Sequence, residues 1–265
     1  MNIRELNKLA NSKKFTNIQL YNYYKDNPDI LETIPANSVI SEPALCEAVK
    51  INGLSMLPDC NMDLNVFLEM VKTGGNVVLS GNIILDNYIE VTNDLTIDLN
   101  GYSIIYPATS SAKYQDVFEV MTGGKLTING DGEVIAENGY SVYAAGDSVV
   151  TLNDGYYFSP VSVVDARKHA SVTINGGVYK VDGSNNPDGD FGQKYTLNLR
   201  DKTGNYVGDL SEIVVKGGRF YKYNPAMSES EPELTNFVAS GYESLQKGDW
   251  YEVEEIGIVV DDITE

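Results

Sequence analysis

Basic residues are scarce in this chain. Of its 265 residues, 19 are Lys or Arg and 38 are Asp or Glu, which gives a formal net charge of -19. A surface of this sign repels phosphate backbones, which argues against nucleic-acid binding. It also argues against a polyanionic glycan as the favoured ligand, unless bound calcium inverts the local charge. The simplest interpretation of the charge is a solvated, soluble surface.

Cysteines and long apolar runs are also few or absent. Two cysteines, Cys46 and Cys60, do not make a disulfide framework, and we expect free thiols. No run of 18 apolar residues occurs, and residues 1–15 contain no apolar segment typical of a signal peptide. We therefore expect a soluble chain that is made in the cytoplasm, without a membrane partner, a cofactor or a resident metal.

What the sequence does contain is a repeat. Its clearest copies run from Asp116 to Ala136, from Tyr140 to Ser159 and from Val161 to Val181. Within them the tetrapeptides LTIN, VTLN and VTIN match position by position, so that Thr127, Thr151 and Thr173 lie 24 and 22 residues apart. Self-similarity at such a period indicates a fold built by stacking one structural unit.

Alternation within each tetrapeptide predicts the unit. Successive strand residues point to opposite faces, so the threonines share one face and the aliphatic residues share the other. One turn of three short strands cannot cover its own apolar face, but turns stacked about 4.8 Å apart bury a continuous aliphatic column. The Asn and Gly residues that follow each strand suit tight corners. The sequence predicts an all-β fold, a right-handed single-stranded parallel β-helix of about five three-strand turns between Ile83 and Tyr223.

The flanking segments predict three regions. Residues 1–63 have helical periodicity and a Pro-containing linker, which we interpret as a helical attachment module or, alternatively, as a cap. Residues 64–225 form the β-helix, preceded by an amphipathic capping helix at Leu64 to Lys72 that ends at Gly74-Gly75. Residues 226–265 form a C-terminal cap and an acidic tail. In that cap we expect a short helix at 233–240 and a hairpin at 241–253 that turns at Lys247 to Asp249.

One stretch resembles a known family. The run from Phe67 to Ile105, which includes GGNVVLSGNIILDNYIEVTNDLTIDLNGYSII, is similar to the opening of pectin-lyase-like right-handed β-helix proteins: a capping helix, a Gly-Gly, a strand and an LTIDLNG-type first turn. The C-terminal segment resembles the closing segment of β-helix domains on bacterial and phage surface proteins. The resemblance is specific for fold and not for activity.

The resemblance raises the question of catalytic residues. The galacturonase-type hydrolases of that family use clustered aspartates, a Gly-His-Gly and an Arg-x-Lys, and this pattern is absent here. The calcium-dependent lyases use acidic ligands and an arginine base, and Asp165, Arg167, Arg200 and Asp201 are the comparable residues on successive turns. The alternative is an exposed ladder of ion pairs. A paired-carboxylate glycosidase also stays open, because the sequence does not give distances between carboxylates.

Two further groups are candidates for binding. The segment Asp182 to Asp190 has oxygen ligands at short spacing, which suits calcium or an ordinary Asn/Gly/Asp loop. Tyr157 and Tyr179 fall beside one another on consecutive turns, either as part of a binding surface or as part of the core.

Together these features predict a non-enzymatic structural protein of a virion. It is most like a head-fibre or tail-spike subunit of tailed bacteriophages, attached to a capsid or other virion protein through residues 1–63 and able to bind a cell-surface glycan. Such subunits are homo-oligomers, and we favour a trimer, with a dimer as the other option. The alternatives are a polysaccharide lyase or glycoside hydrolase, and a bacterial surface binding module.

Overall fold

A computed structural model describes residues 61–108, 115–181, 195–199, 208–230 and 234–257. Of these, residues 61, 62 and 80–82 belong to one compact unit and all the others to a second. In the first unit, Asn61 and Asn82 form an isolated parallel bridge. The helices and the linker predicted for residues 1–60, with Cys46 and Cys60, lie outside the described residues. Everything below concerns the second unit.

The second unit opens with helix α1 (Leu64–Thr73). It begins where it does because the Asp63 carboxylate accepts hydrogen bonds from the N–H groups of Asn65 (2.8 Å) and Val66 (3.1 Å), which have no partner within the helix. It ends at Gly74, whose φ of 77° no longer fits a helix. Phe67 and Val71, four residues apart on one face, are buried. The predicted capping helix is confirmed as a helix.

The chain then passes through three sheets in rotation, and all neighbouring strands in them are parallel except at the end of sheet 2, where β21 pairs antiparallel with β17 and β20. Sheet 1 contains, in spatial order, β1 (Gly75–Val78), β4 (Asp94–Asp98), β7 (Lys125–Asn129), β10 (Val149–Leu152), β13 (Ser171–Ile174) and β16 (Glu212–Val215). Sheet 2 contains β2 (Ile83–Ile84), β5 (Ser103–Tyr106), β8 (Glu133–Ala136), β11 (Tyr156–Ser159), β14 (Val178–Val181), β17 (Gly218–Tyr221), β21 (Trp250–Glu255) and β20 (Tyr242–Lys247). Sheet 3 contains β15 (Leu197–Leu199), β12 (Ser162–Arg167), β9 (Tyr140–Ala145), β6 (Phe118–Val120) and β3 (Ile89–Val91).

The register of sheet 1 is the one that the repeat predicts. Thr127, Thr151 and Thr173 pair directly across β7, β10 and β13, and so do Ile128, Leu152 and Ile174. The three aliphatic side chains have no exposed surface, whereas the threonines are half-buried on the other face. The predicted aliphatic column is confirmed, and the molecule is rich in parallel β-structure.

Asparagines form a ladder at the corner after sheet 1. The Asn153 amide donates to Oδ1 of Asn129 and the Asn175 amide donates to Oδ1 of Asn153, both at 2.7 Å. Glycine is required at the next corner: Gly177 has a φ of 93°, and a Cβ there would lie 2.8 Å from the carbonyl oxygen of Gly155 on the preceding turn.

Aromatic rings continue the core under sheet 2. Tyr157, Tyr179 and Phe220 stack on consecutive turns, with ring centroids 5.0 and 4.9 Å apart, and none has exposed surface. The Tyr157 hydroxyl donates to the carbonyl of Asp154 and the Tyr179 hydroxyl to that of Gly176, both at 2.8 Å. Burial raises the pKa of both phenols well above the usual value. These tyrosines are therefore part of the core.

The C-terminal segment closes the last strands. β20 and β21 form the predicted hairpin, with Gly248 and Asp249 between the paired Lys247 and Trp250, and β21 pairs antiparallel with β17. The short helix predicted at 233–240 is wrong for the described residues of that segment. Leu234–Thr235 form strand β19, which pairs with β18 (Ser228–Glu229), and Val238 bridges to Val215.

The helical pattern at 233–240 is overridden by packing. Phe237 is 2% exposed, and its carbonyl accepts from the Val215 N–H at 2.8 Å. The Ala239 N–H donates to the Val215 carbonyl at 2.9 Å. An extended segment thus pairs with the free edge of β16 and buries an aromatic ring, which a helix at this place would not do. Within the described residues, no helix has the length and apolar character needed to span a membrane.

Candidate functional site

A polar row crosses the outward face of sheet 3. In β12, Val164 and Ala166 point to the core, so Asp165 and Arg167 lie on the opposite face. The register places five side chains of that face side by side, one from each strand, and we call them the sheet 3 row: Glu90, Glu119, Tyr143, Asp165 and Asn198. With strands about 4.8 Å apart, the row is about 19 Å long.

Asp165 and Arg167 form a buried, fully hydrogen-bonded pair. Nε of Arg167 donates to Oδ1 of Asp165 at 2.6 Å, and the Asn198 amide donates to Oδ2 at 2.9 Å. The Asp165 side chain has no exposed surface, and that of Arg167 is 14% exposed. Burial alone would lower the pKa of Arg167, but the charge and the hydrogen bond of Asp165 outweigh it and raise that pKa, so the guanidinium stays protonated.

An aromatic stack lies beside this pair. The Cζ atom of Arg167 is 4.8 Å from the centroid of the Tyr143 ring, and the Tyr140 ring stacks on Tyr143 with centroids 6.3 Å apart and planes 15° apart. All three side chains are partly exposed. The guanidinium thus lies over one aromatic ring, next to a second ring in a nearly parallel plane, and the sheet fixes the positions of all three side chains.

A second carboxyl group adjoins the stack. Oδ1 of Asp116 accepts from the Tyr140 N–H at 2.8 Å. Burial raises the pKa of Asp116 to about 7 in spite of this hydrogen bond, and the charges of Glu119 and Asp165 act in the same direction while Arg167 opposes them. The pKa of Glu119 is also raised, first by burial and then by the charge of Glu90. Near neutral pH, Asp116 therefore exists both as an acid and as a carboxylate.

The predicted site residues divide into three groups. Asp165 and Arg167 lie in the site, as a pair within one strand and not across turns. Arg200, Asp201 and the segment at 182–190 lie outside the described residues. Tyr157 and Tyr179 are adjacent, as predicted, but they are fully buried, so of the two alternatives for them the binding surface is wrong.

Six residues of the site were not among the site residues predicted from the sequence: Glu90, Asp116, Glu119, Tyr140, Tyr143 and Asn198. A signal for two of them was present, because Glu119, Tyr143 and Asp165 are 24 and 22 residues apart, the same offsets as the threonines of sheet 1. Applying the repeat to the outward positions of the third strand would have found this part of the row.

Neither a metal-binding cluster nor a surface groove in the described part of the chain offers a better candidate site. Within the ranges that the structure describes, no group of three or more His, Cys, Asp or Glu side chains could hold a metal ion. A groove of about 630 Å³ lies along α1, lined by Val66, Met70 and other residues, with Glu69 as its titratable side chain. It lacks the mixture of carboxyl, guanidinium and aromatic groups that sheet 3 brings together.

No protein-family model, no curated protein and no solved structure matches this chain. The function of the sheet 3 row therefore has to follow from its own chemistry. Partly exposed tyrosine rings beside carboxyl acceptors and a guanidinium donor suit a polyhydroxylated ligand, because the C–H groups of a sugar pack on aromatic rings while its hydroxyls find acceptors and donors.

Proposed function

We propose that this chain is a non-enzymatic display protein in which a right-handed parallel β-helix presents the Tyr140, Tyr143 and Arg167 stack, with the exposed part of the sheet 3 row, for adhesion to a surface glycan. Its resemblance to pectin-lyase-like proteins and to phage surface domains points to a virion appendage, a head-fibre or tail-spike subunit of a tailed bacteriophage. Residues 1–63 would attach it to a capsid or other virion protein, and the subunit would act as a homo-oligomer.

The strand order supports the β-helix. Successive strands enter sheets 1, 2 and 3 in the same rotation from β1 to β15, and each joins its sheet in parallel. A parallel connection of this kind is right-handed in nearly all proteins. The core residues of each level pack on those of the next, which gives a stiff support.

The Tyr140, Tyr143 and Arg167 stack is the observation that carries the adhesive function. Its rings and guanidinium are preorganised by the sheet, so a ligand would pay little ordering entropy. Glu90, Glu119 and Asp116 leave this face with an excess of negative charge around one arginine. We therefore expect a neutral or cationic saccharide and not a polyanionic one.

The pairing of Asp165 supports a binding role over a catalytic one. Both of its oxygens already accept hydrogen bonds, and Arg167 is held protonated by the same contact. A lyase needs a group that can accept a proton from the substrate, and neither member of this pair is free to do so.

Glycan-array screening followed by titration calorimetry tests the proposal. We expect a neutral oligosaccharide to bind, and Tyr143→Ala to weaken its binding at least about tenfold through loss of ring contact and of the Arg167 support. Thr151→Ala, an outward residue of sheet 1, is the matched control and should leave binding unchanged. Failure of neutral and cationic glycans to bind, or equal binding by the Tyr143 variant, would refute the adhesive role.

A carbohydrate-cleaving enzyme is the second candidate, and the raised pKa of Asp116 is what favours it. A carboxyl that keeps its proton near neutral pH suits a general acid, and Glu119 is a second carboxyl on the same face. New reducing ends or unsaturated products from capsular or pectic glycans, lost in Asp116→Asn, would establish this activity instead. A bacterial surface binding module would bind as proposed but would be found on a cell envelope and not on a particle.

A further inference from the structure

The outward face of sheet 2 carries a line of mostly apolar and aromatic residues that crosses the sheet. We call the following residues the sheet 2 stripe, in strand order from β2 to β20: Ile84, Ile105, Ile135, Phe158, Lys180, Tyr221, Trp250 and Lys247. Lys180 lies beside Tyr221, with its Nζ 5.2 Å from the ring centroid. The intervening residues Val134, Tyr157, Tyr179 and Phe220 are in the core, so the stripe lies outside. Ile84 is 41% exposed and the next three apolar residues are half-buried.

Four neighbouring apolar side chains in one line are unusual on an exposed sheet. Isolated exposed apolar residues are normal, whereas contiguous ones mark an interaction surface. A second row runs parallel to the stripe on the same face: Ser103, Glu133, Tyr156, Val178, Arg219, Glu252 and Leu245. It adds Tyr156, Val178 and Leu245 to the apolar surface.

The charges of this face are separated along the stack of strands. In the two rows, the half from β2 to β11 carries one charged residue, Glu133. The half from β14 to β20 carries Lys180, Arg219 and Lys247 against Glu252, which is paired with Arg219 at 2.8 Å and with Lys247 at 2.6 Å. Within the two rows, one half is therefore negative and aliphatic, and the other carries the basic and aromatic residues. Glu254, which lies 4.0 Å from Lys247, and Glu243, which pairs with Glu254 across β20 and β21, lie on the same face beside these rows.

We propose that this face binds a second copy of the same chain, antiparallel, about a two-fold axis that runs along the strands between β11 and β14. Rotation about that axis places β8 of one copy opposite β17 of the other, so that Glu133 faces Arg219 and Ile135 faces Tyr221. It also places Ile105 opposite Trp250. Tyr156 faces Val178, whereas Ile84 faces Lys247 and Phe158 faces Lys180. The apolar contacts of Ile105 and Ile135 and the contact of Glu133 with Arg219 give the self-complementarity of a two-fold interface.

The same charges disfavour a parallel arrangement around a three-fold axis. There each level would face its own copies, so Lys180 would face Lys180 and Arg219 would face Arg219 in a region where like charges repel. The charge order thus selects the dimer from the two oligomers that the sequence left open.

The size of the face sets the expected affinity. Eight strands about 4.8 Å apart and about four residues wide give roughly 34 by 13 Å, or about 450 Å² per copy. The total of about 900 Å² is smaller than the roughly 1,200 Å² at the lower end of stable interfaces, so we expect a reversible dimer with a micromolar Kd. The pairing uses sheet 2 and is independent of glycan binding at sheet 3.

Sedimentation velocity of the full chain, from about 1 to about 500 μM, tests the proposal. We expect the mass to rise from that of a monomer to that of a dimer. Ile135→Asp should weaken the dimer at least about tenfold, since it places a charge in the apolar contact. Thr127→Asp, an outward half-buried residue of sheet 1 on the same turn, is the matched control and should dimerise as the parent does.

A charge exchange tests the antiparallel register. Glu133→Arg and Arg219→Glu should each weaken the dimer, and the double variant should restore it. Within one chain these residues are three strands apart, about 14 Å, so rescue requires contact between copies.

Circular dichroism shows whether Arg219→Glu, which also loses the bond to Glu252, stays folded. If it does not, the effects of Ile135→Asp and Glu133→Arg on the dimer decide whether the proposal holds. A monomer at all concentrations, a trimer, an unaffected Ile135→Asp dimer, or absence of rescue in a folded double variant would overturn the proposal.

Discussion

Asp116 and Asp165, whose charges act on each other, are in opposite chemical situations. Asp165 has both oxygens occupied by Arg167 and Asn198, whereas the burial of Asp116 is offset chiefly by one backbone N–H. A buried carboxylate is stable when each oxygen has a donor, and it takes up a proton when donors are too few. Both oxygens of Asp165 are used in structural contacts, whereas burial raises the pKa of Asp116 to about 7.

Asp116 makes the fold less stable as pH rises through the acidic range. Its folded pKa of about 7 lies above the usual value of 3.8, so between these pH values the folded chain holds a proton that the unfolded chain has lost. The free energy of unfolding therefore falls from about pH 4 to about pH 7.

Asp116→Asn keeps the acceptor for the Tyr140 N–H but cannot ionise. We expect it to be about 2 kcal/mol more stable than the parent at pH 8 and equally stable at pH 4, as measured by urea unfolding. Equal stability at both pH values would show that Asp116 is not buried in solution.

Asp209, in contrast, makes the fold more stable as the pH rises. Its burial would raise its pKa, but hydrogen bonds from the Ser211 hydroxyl and from the N–H groups of His169, Lys168 and Ser211 lower that pKa to about 2. Lys168 and His169 have φ values of 55° and 69°, so the carboxylate holds a left-handed turn that these residues rarely adopt.

The stability that Asp209 supplies is present above about pH 4 and is lost as the pH falls towards about 2, because the folded chain resists protonation there. Asp209→Asn should lower the free energy of unfolding by about 2 kcal/mol at pH 7 and by much less at pH 2. Urea unfolding at the two pH values measures the difference. A constant difference at both pH values would mean that the loss is steric and not electrostatic.

At the scale of single residues, the sequence allowed prediction of which side chains stack on consecutive turns. It did not allow prediction of whether each of them is buried or which partner it binds. Thr127 and Thr151 aligned because a regular spacing fixes both partner and face. For Tyr157 and Tyr179 the spacing gave the neighbour but not the burial, because a phenol suits a surface or a core that offers a carbonyl, as Asp154 and Gly176 do here. The pairing of Asp165 with Arg167 within one strand also depends on side-chain direction, which spacing does not contain.

At the scale of elements, the corners hold the sheets in register. The Asn129, Asn153 and Asn175 ladder joins three turns through two hydrogen bonds of 2.7 Å. Asn153→Ala removes both bonds at once while leaving the strands intact. We expect a loss of about 1 to 2 kcal/mol in the free energy of unfolding. Thr151→Ala, two residues earlier in the same turn, controls for truncation of an outward side chain and should cost less. Equal losses in thermal or urea unfolding would remove the ladder as a source of stability.

Element types could be predicted where the local pattern and the packing agree. Three elements combine a clear periodicity of apolar residues with an appropriate cap or turn: α1, the strands around the threonine repeat and the hairpin at Gly248–Asp249. The segment around Phe237 could not be predicted, because its conformation depends on the unpaired edge of β16, more than 20 residues earlier in the chain. A non-local partner of this kind leaves no periodic signal.

At the scale of the whole molecule, the faces of the sheets differ in their chemistry. Sheet 3 presents the polar row and sheet 2 presents an apolar stripe with most of its basic residues at one end. Residues 64–265 carry 13 basic and 30 acidic residues, so the cations of sheet 2 stand out against a negative surface. An antiparallel pair through sheet 2 would leave both sheet 3 rows open and would have an α1 at each end. Such a pair would bridge two attachment points.

The attachment role of residues 1–63 gives the last prediction. Phe67 and Val71 of α1 are buried in the second unit and close its core from within, so the fold of that unit has its own N-terminal cover. We therefore expect a chain that starts at Asn61 to keep the strand signal in circular dichroism and its urea midpoint, while losing incorporation into the particle that the full chain joins. Co-purification of both forms with particles, followed by immunoblotting, measures incorporation, and Tyr143→Ala in the full chain controls for glycan contacts. If the shortened chain unfolds, the N-terminal segment is a cap, because hydrophobic burial that it supplies would then be needed for the first turn to stay paired.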